Sequence, residues 1–304
     1  MSDRLLQKVS GLVVARLGSN MTPPRRAEED AQAVSNLLEE YPIGGILLFN
    51  GRWPETRETL KLLQSKSDRD LLVMTDMERG LGQQIAGATL FPHLAAFGSL
   101  GEEAGSAVRE FARAGAREAL AAGVHVALAP IADVNCNPLN PIISTRAFGA
   151  DTKQASQLVA AYVEAASAEG LLTTAKHFPG HGNTSEDSHE TTPVVDDSRD
   201  VIEDRDLPPF QAAIDAGVDL IMTAHVRYPA LDESGAIATR SHAILMDLLK
   251  HRMNFNGVVI TDSLHMAGAR EDSTEVDAAV ELLNAGVDML LDLRDPEAVI
   301  EGVV

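Results

Sequence analysis

Short, almost unbroken apolar runs recur along the chain, most of them ending on a polar residue or a turn former. They are GLVVARLG (11–18), GGILLFN (44–50), LLVMTD (71–76), VHVALAP (124–130), LLTTAKH (171–177), DLIMTAH (219–225), GVVITD (257–262) and VDMLLDL (287–293). Runs this continuous predict strands covered on both faces, as in a parallel sheet. Amphipathic stretches lie between most of them. In RRAEEDAQAVSNLLEEY (25–41), Ala31, Val34, Leu37 and Leu38 form one stripe and the acids lie on the other side. Three further helical stretches run into Gly123, Gly217 and Gly286. Glycine just past a helix accepts the left-handed C-cap conformation, so these positions read as helix stops.

Eight buried strands alternating with helices predict an α/β fold, a (β/α)8 TIM-type barrel forming a single domain over residues 1–304. The main competitor, an open doubly wound sheet, normally has fewer strands and a Gly-rich phosphate turn after the first. ARLGSN does not supply that turn. After the eighth run only RDPEAVIEGVV remains, short for a closing helix of about 10–12 residues. The last helix is therefore expected to be short, or the natural chain to continue past residue 304.

Composition narrows the partners. The chain has 304 residues, 45% of them hydrophobic, and a net charge of −20 from 45 acidic and 25 basic residues. That charge disfavours a nucleic-acid partner and suits a well-solvated surface. Cys136 is the single cysteine, so no internal disulfide is possible, which fits a reducing compartment. No segment approaches membrane-spanning length, and the first residues lack a signal-peptide apolar run. A cytoplasmic protein without a membrane partner, monomeric or homodimeric, is the expectation.

Polar side chains fall where such a barrel keeps its chemistry, at the strand exits. The third run ends at Asp76, the fifth at Lys176 and His177, the sixth at His225 and the seventh at Asp262. Asp76 or Asp262 alone could cap a helix, and His225 alone could be a packing residue. Several such groups at one end of a barrel suit the walls of a polar pocket. The run AKHFPGHGNTSEDSH (175–189) adds Asp187 and His189, two residues apart. In an extended segment the two face the same side, where a carboxylate can hold one ring nitrogen and leave the other free to move protons. Gly180 and Gly182 suggest a hinge for a closing loop. His177, His181, Asp187 and His189 are also metal-ligand types, but their spacing fits no metal signature and Lys176 would repel a cation. No metal and no cofactor is expected.

The sequence AKHFPGHGNTSEDSHETTPVVD, with GGILLFN, MTDMERG, STRAFGAD, LIMTAHVRYPALD and FNGVVITDSLHMAGA in the same order, resembles family 3 glycoside hydrolases, in particular the bacterial β-N-acetylglucosaminidase branch acting on cell-wall fragments. The resemblance covers about residues 10 to 293. It implies a retaining double displacement on a terminal β-linked N-acetylhexosamine, with Asp262 as nucleophile and His189, oriented by Asp187, as acid/base. It also implies that Asp76, Arg146, Lys176 and His177 hold the sugar; His225, at the sixth strand end, fits the pocket wall or a place just behind it. DMERG departs from the family's more usual Asp-Gln-Glu-Gly-Gly, IATRSHAI from a Pro-Ala-Thr-x-Ser stretch, and Ser263 stands where a second Asp is common. Other readings remain open at this point: phosphate as the acceptor in place of water, a related β-glucosidase whose acid/base lies outside this loop, or a sugar-binding barrel without catalysis.

Overall fold

The computed structural model describes residues 3–269 and 273–304. Its main sheet has eight strands: β1 (Val13–Leu17), β2 (Gly45–Leu48), β3 (Leu72–Thr75), β4 (Val126–Ala127), β5 (Leu172–Phe178), β6 (Leu220–Thr223), β7 (Val258–Thr261) and β8 (Leu290–Leu291). All neighbours are parallel, in the order β8-β1-β2-β3-β4-β5-β6-β7. A parallel bridge between Ile260 and Met289 brings β7 to β8, so the sheet is a nearly closed barrel. Each apolar run of the sequence supplies one strand.

Helices link the strands on the outside: Ala27–Glu40, Glu55–Lys66, Ala104–Ala122, Thr152–Ser167, Leu207–Asp215, a wider π-type helix at Ala243–Arg252, and Glu275–Ala285. Pro296–Val303 follows β8 and is eight residues long. Gly123, Gly217 and Gly286 all have positive φ at or just past a helix end, as predicted.

Strand alternation divides the core in two. Val14, Leu47, Met74, Val126, Leu220, Met222, Ile260 and Leu291 belong to one apolar cluster, which fills the barrel. Their outward neighbours Val13, Ile46, Val73, Ile221 and Val259 belong to a second cluster shared with the helices. Because the side-chain period along a strand is two, the next inward positions after Val14, Leu47, Met74 and Ile260 are Arg16, Phe49, Asp76 and Asp262. The apolar filling thus gives way to polar groups at the C-terminal mouth.

The segment between β5 and the helix Arg199–Arg205 is seated on this mouth by buried contacts. The Asp133 carboxylate accepts the backbone N–H of His181 at 2.6 Å and that of His177 at 3.2 Å. His181 Nδ1 lies 2.7 Å from Thr184 Oγ1 and Nε2 2.9 Å from Ser188 Oγ. Since the Thr184 hydroxyl donates to the His181 carbonyl at 3.1 Å, we assign Nδ1–H as the donor to Thr184 and Nε2 as acceptor from Ser188. The sequence suggested Gly180 and Gly182 as a hinge, yet both are buried. A Cβ on Gly182 would lie 1.8 Å from the Val134 carbonyl oxygen, so glycine serves close packing there.

His181 couples this seating to pH. Burial, with His177 beside it, pulls its pKa down to about 4, against the opposing pull of Asp133 and Asp262. As the pH falls below about 6.5, an unfolded chain protonates this ring while the folded one resists until about 4. More protons bind to the unfolded state in that window, so stability falls as the pH falls, by up to about 3 kcal/mol from this group. Urea unfolding of wild type and His181→Gln at pH 7 and pH 4.5 is expected to show the larger acid loss in wild type; parallel losses would contradict this role for His181.

Candidate active site

The irregular end of β5 puts two consecutive polar residues into the mouth. The pairing of β5 with β6 shifts register between Ala175 and Phe178. Lys176 and His177, which a regular strand would send to opposite faces, both reach the same polar cluster. They are 2% and 4% exposed, so their charges and ring nitrogens are met by protein atoms.

Lys176 Nζ donates to Asp76 Oδ1 at 2.6 Å and lies 2.9 Å from Glu78 Oε1. Arg146, on the turn after β4, grips Glu78 with two bonds, Nε to Oε2 at 2.9 Å and Nη2 to Oε1 at 2.8 Å. Burial alone would raise the Glu78 carboxyl, but the two cations outweigh it and hold it well below the usual range. Burial likewise opposes the charge on Lys176 and Arg146, and their acid partners outweigh it and raise both. Neither Glu78 nor Asp133 stood out from the sequence. Both lie directly past strand exits in apolar surroundings, and an acid in such a place was the available signal.

His177 is oriented from below. Its Nδ1 is 2.8 Å from Asp133 Oδ2, so we assign Nδ1–H as the donor. The other nitrogen then faces Arg146 Nη2 at 3.5 Å and Asp262 Oδ2 at 3.9 Å. Asp262 follows β7 and accepts the Ser263 backbone N–H at 2.7 Å. Burial would raise its carboxyl; the facing His177, then His225 and Lys176, and this N–H reverse the effect and hold it below the usual carboxylate range. His225 is 1% exposed and stands behind this segment. Its ring bonds the Thr239 hydroxyl at 2.9 Å and the Ser263 carbonyl at 3.2 Å, and burial pulls its pKa down.

The segment after β7 is also fixed from the barrel seam. Arg16 takes Asp292 with two bonds, Nε to Oδ1 at 2.6 Å and Nη2 to Oδ2. The Ser263 hydroxyl donates to Asp292 Oδ2 at 2.5 Å. Arg16 and Asp292 are further residues that sequence reasoning passed over, because one lies inside an apolar run and the other near the end of the last.

Asp187 and His189 meet as their spacing suggested. Asp187 Oδ1 accepts both the backbone N–H of His189 at 2.8 Å and its ring, with Nδ1 at 2.7 Å. Burial opposes ionisation of Asp187, but these two donors hold its carboxyl below the ordinary range. The ring is 56% exposed, so Nε2 is free to exchange protons. Backbone bonds from Ala267 N to His189 O (3.3 Å) and from Gly268 N to Ser188 O (3.0 Å) tie this loop to the chain following Asp262. A Cβ on Gly268 would sit 2.8 Å from the Ser188 oxygen, so this junction requires glycine.

Asp76, His189 and Asp262 all line one cleft of about 380 Å³, with Arg16, Asn20, Met21 and Phe49 on its far wall. Asp76 and His189 also border a second lobe of about 340 Å³ that reaches Glu78, Arg79, Gln83, His93, Ile142 and Arg146. The structure thus brings Asp76, Arg146, His189 and Asp262 to the walls of these two spaces, with Lys176, His177 and Asp187 bonded to or facing them from behind and His225 buried beneath the Asp262 segment. No three His, Cys, Asp or Glu side chains gather into a metal site among the described residues.

Comparison with known proteins agrees with this geometry. The family model described as the glycosyl hydrolase family 3 N-terminal domain matches residues 5–304. A beta-hexosaminidase A from Pseudoalteromonas piscicida is 38% identical over 85% of this chain and 47% of its own length. A beta-hexosaminidase from Haemophilus influenzae is 32% identical over 91% of this chain and 80% of its own. Among solved structures, a family 3 beta-N-acetylglucosaminidase from Paenibacillus sp. superposes with a TM-score of 0.90 at 32% identity, covering 98% of this chain and 57% of that one. The chain therefore spans about half the length of several relatives that it matches. The chain belongs to glycosyl hydrolase family 3 and carries its N-terminal domain.

Proposed function

We propose that this chain carries the active site of a retaining exo-β-N-acetylglucosaminidase, acting on terminal β-linked N-acetylhexosamine of the kind found in cell-wall fragments. The observation that carries the reading is the shared cleft: Asp262, with its carboxyl held below the usual range, and the Asp187-steered His189 both line it. The β-hexosaminidase relatives support the same substrate class.

In this mechanism Asp262 attacks the anomeric carbon while His189 gives its Nε2 proton to the departing glycosidic oxygen. The C–O bond to the leaving group breaks as the C–O bond to Asp262 forms. The now neutral ring then takes a proton from water, whose oxygen attacks the same carbon and releases Asp262. Asp187 keeps the ring in the tautomer that presents Nε2, and it stabilises the imidazolium that forms. An imidazole in this role avoids placing a second carboxylate beside Asp262. Asp76 accepts hydrogen bonds from sugar hydroxyls; Lys176, Arg146 and the outward nitrogen of His177 complete the polar wall. The buried ion pairs fix these groups before substrate arrives, which lowers the cost of organising them in the transition state.

Kinetics on aryl β-N-acetylglucosaminides test the assignment. Asp262→Ala is expected to lower kcat by about 10⁴-fold or more. His189→Ala is expected to lose about 10²–10⁴-fold on a phenyl glycoside, whose leaving group needs protonation, and far less on a dinitrophenyl one. Equal losses on both leaving groups would remove His189 as the general acid. Running the same reaction with inorganic phosphate separates the acceptors: free sugar is expected, and sugar 1-phosphate would replace hydrolysis by phosphorolysis.

A further inference from the structure

The second lobe holds a cation that the sugar-holding network does not neutralise. Asp76 is matched by Lys176, and Glu78 by Arg146 and Lys176. Arg79, the next residue, has no carboxylate within ion-pair distance among the described residues. It is half-buried, its Nε donates to the Phe91 carbonyl at 3.1 Å, and its backbone N–H donates to Gln83 Oε1 at 3.0 Å. Both bonds anchor the residue and leave the two terminal guanidinium nitrogens to the lobe that it lines. Gln83, with its oxygen engaged, offers its amide nitrogen, and His93 lines the same space. The lobe's two carboxylates, Asp76 and Glu78, are already engaged by Lys176 and Arg146, so Arg79 is the lining charge left for a ligand.

We infer that this lobe is a specificity subsite in which Arg79 receives a carboxylate carried by the substrate. The inference rests on the glycosidase reading and extends it to a substrate class. A ring with its anomeric carbon at Asp262 and hydroxyls at Asp76 borders the second lobe across Asp76, so a group projecting from the sugar or its aglycone enters there. A planar carboxylate matches the guanidinium fork, and a charge-assisted bond in a half-buried lobe discriminates against a neutral analogue more than a surface pair would. Ile142 lines the same lobe, giving the uncharged part of the substituent an apolar contact.

The test compares β-1,4-linked N-acetylglucosamine disaccharides in three forms: neutral, carrying a carboxyalkyl ether on the reducing sugar, and carrying it on the terminal sugar. The ratio of kcat/KM for acidic to neutral substrate is expected to be about 10 for one of the acidic forms in wild type, and to fall toward 1 in Arg79→Gln. Arg79→Lys is expected to keep part of the ratio, and 0.5 M salt to reduce it. Which acidic form is preferred tells whether the subsite faces the terminal sugar or the aglycone. Calorimetric affinities of the same compounds for Asp262→Ala give the ratio without turnover. Failure to hydrolyse the neutral disaccharide would therefore count against the glycosidase reading alone. A ratio near 1 for both acidic forms, or one that Arg79→Gln leaves unchanged, overturns the subsite.

Discussion

Placing the ammonium of Lys176 at 2% exposure is the constraint around which the mouth of this barrel is organised. A charge taken out of water costs several kcal/mol unless it is paired and hydrogen-bonded. The chain meets that cost with Asp76 and Glu78 from the segment after β3, and Glu78 in turn is gripped by Arg146 from beyond β4. Three separate parts of the chain are thereby locked to one another by charge. Removing any one partner would strand another in a low-dielectric site, so the arrangement is rigid without being a hydrophobic core.

The same logic reaches the proposed reacting groups. Asp133 fixes His177 and accepts the N–H of His181, so one buried carboxylate sets both the proposed sugar-facing ring and the base of the loop that carries His189. The loop is then tied to the chain after Asp262 through Ser188, His189 and Gly268. The proposed proton donor and nucleophile are thus held in fixed relation by backbone bonds, while the His189 ring, bonded to Asp187, stands more than half exposed. A loop of that kind is positioned rather than hinged, which is why Gly182 packs against Val134.

The strand count, the barrel and the pairing of Asp187 with His189 were legible in the sequence because each follows from local periodicity: apolar runs, glycine stops, and a spacing of two. Glu78, Asp133 and Asp292 were not, because their meaning comes from partners 68, 44 and 276 residues away. For His225 the sequence left two places open, and only the fold separates them. Its place at a strand exit suited the pocket wall or a position just behind it, and its ring is turned to Thr239 and the Ser263 carbonyl, behind the groups that line the cleft. The departure at DMERG was visible as a change of residue; its consequence, an unmatched cation in a second lobe, needed the surrounding chain.

The central claim is that Asp262 attacks sugar carbon. A 5-fluoro β-N-acetylglucosaminyl reagent with a fast leaving group slows breakdown of a covalent intermediate enough to digest the protein and map it by mass spectrometry. The account predicts one sugar added per chain, on the peptide carrying Thr261-Asp262-Ser263 and on the Asp262 side chain. A stoichiometric adduct on any other residue, or active enzyme that turns the reagent over with inversion and no adduct, would contradict it.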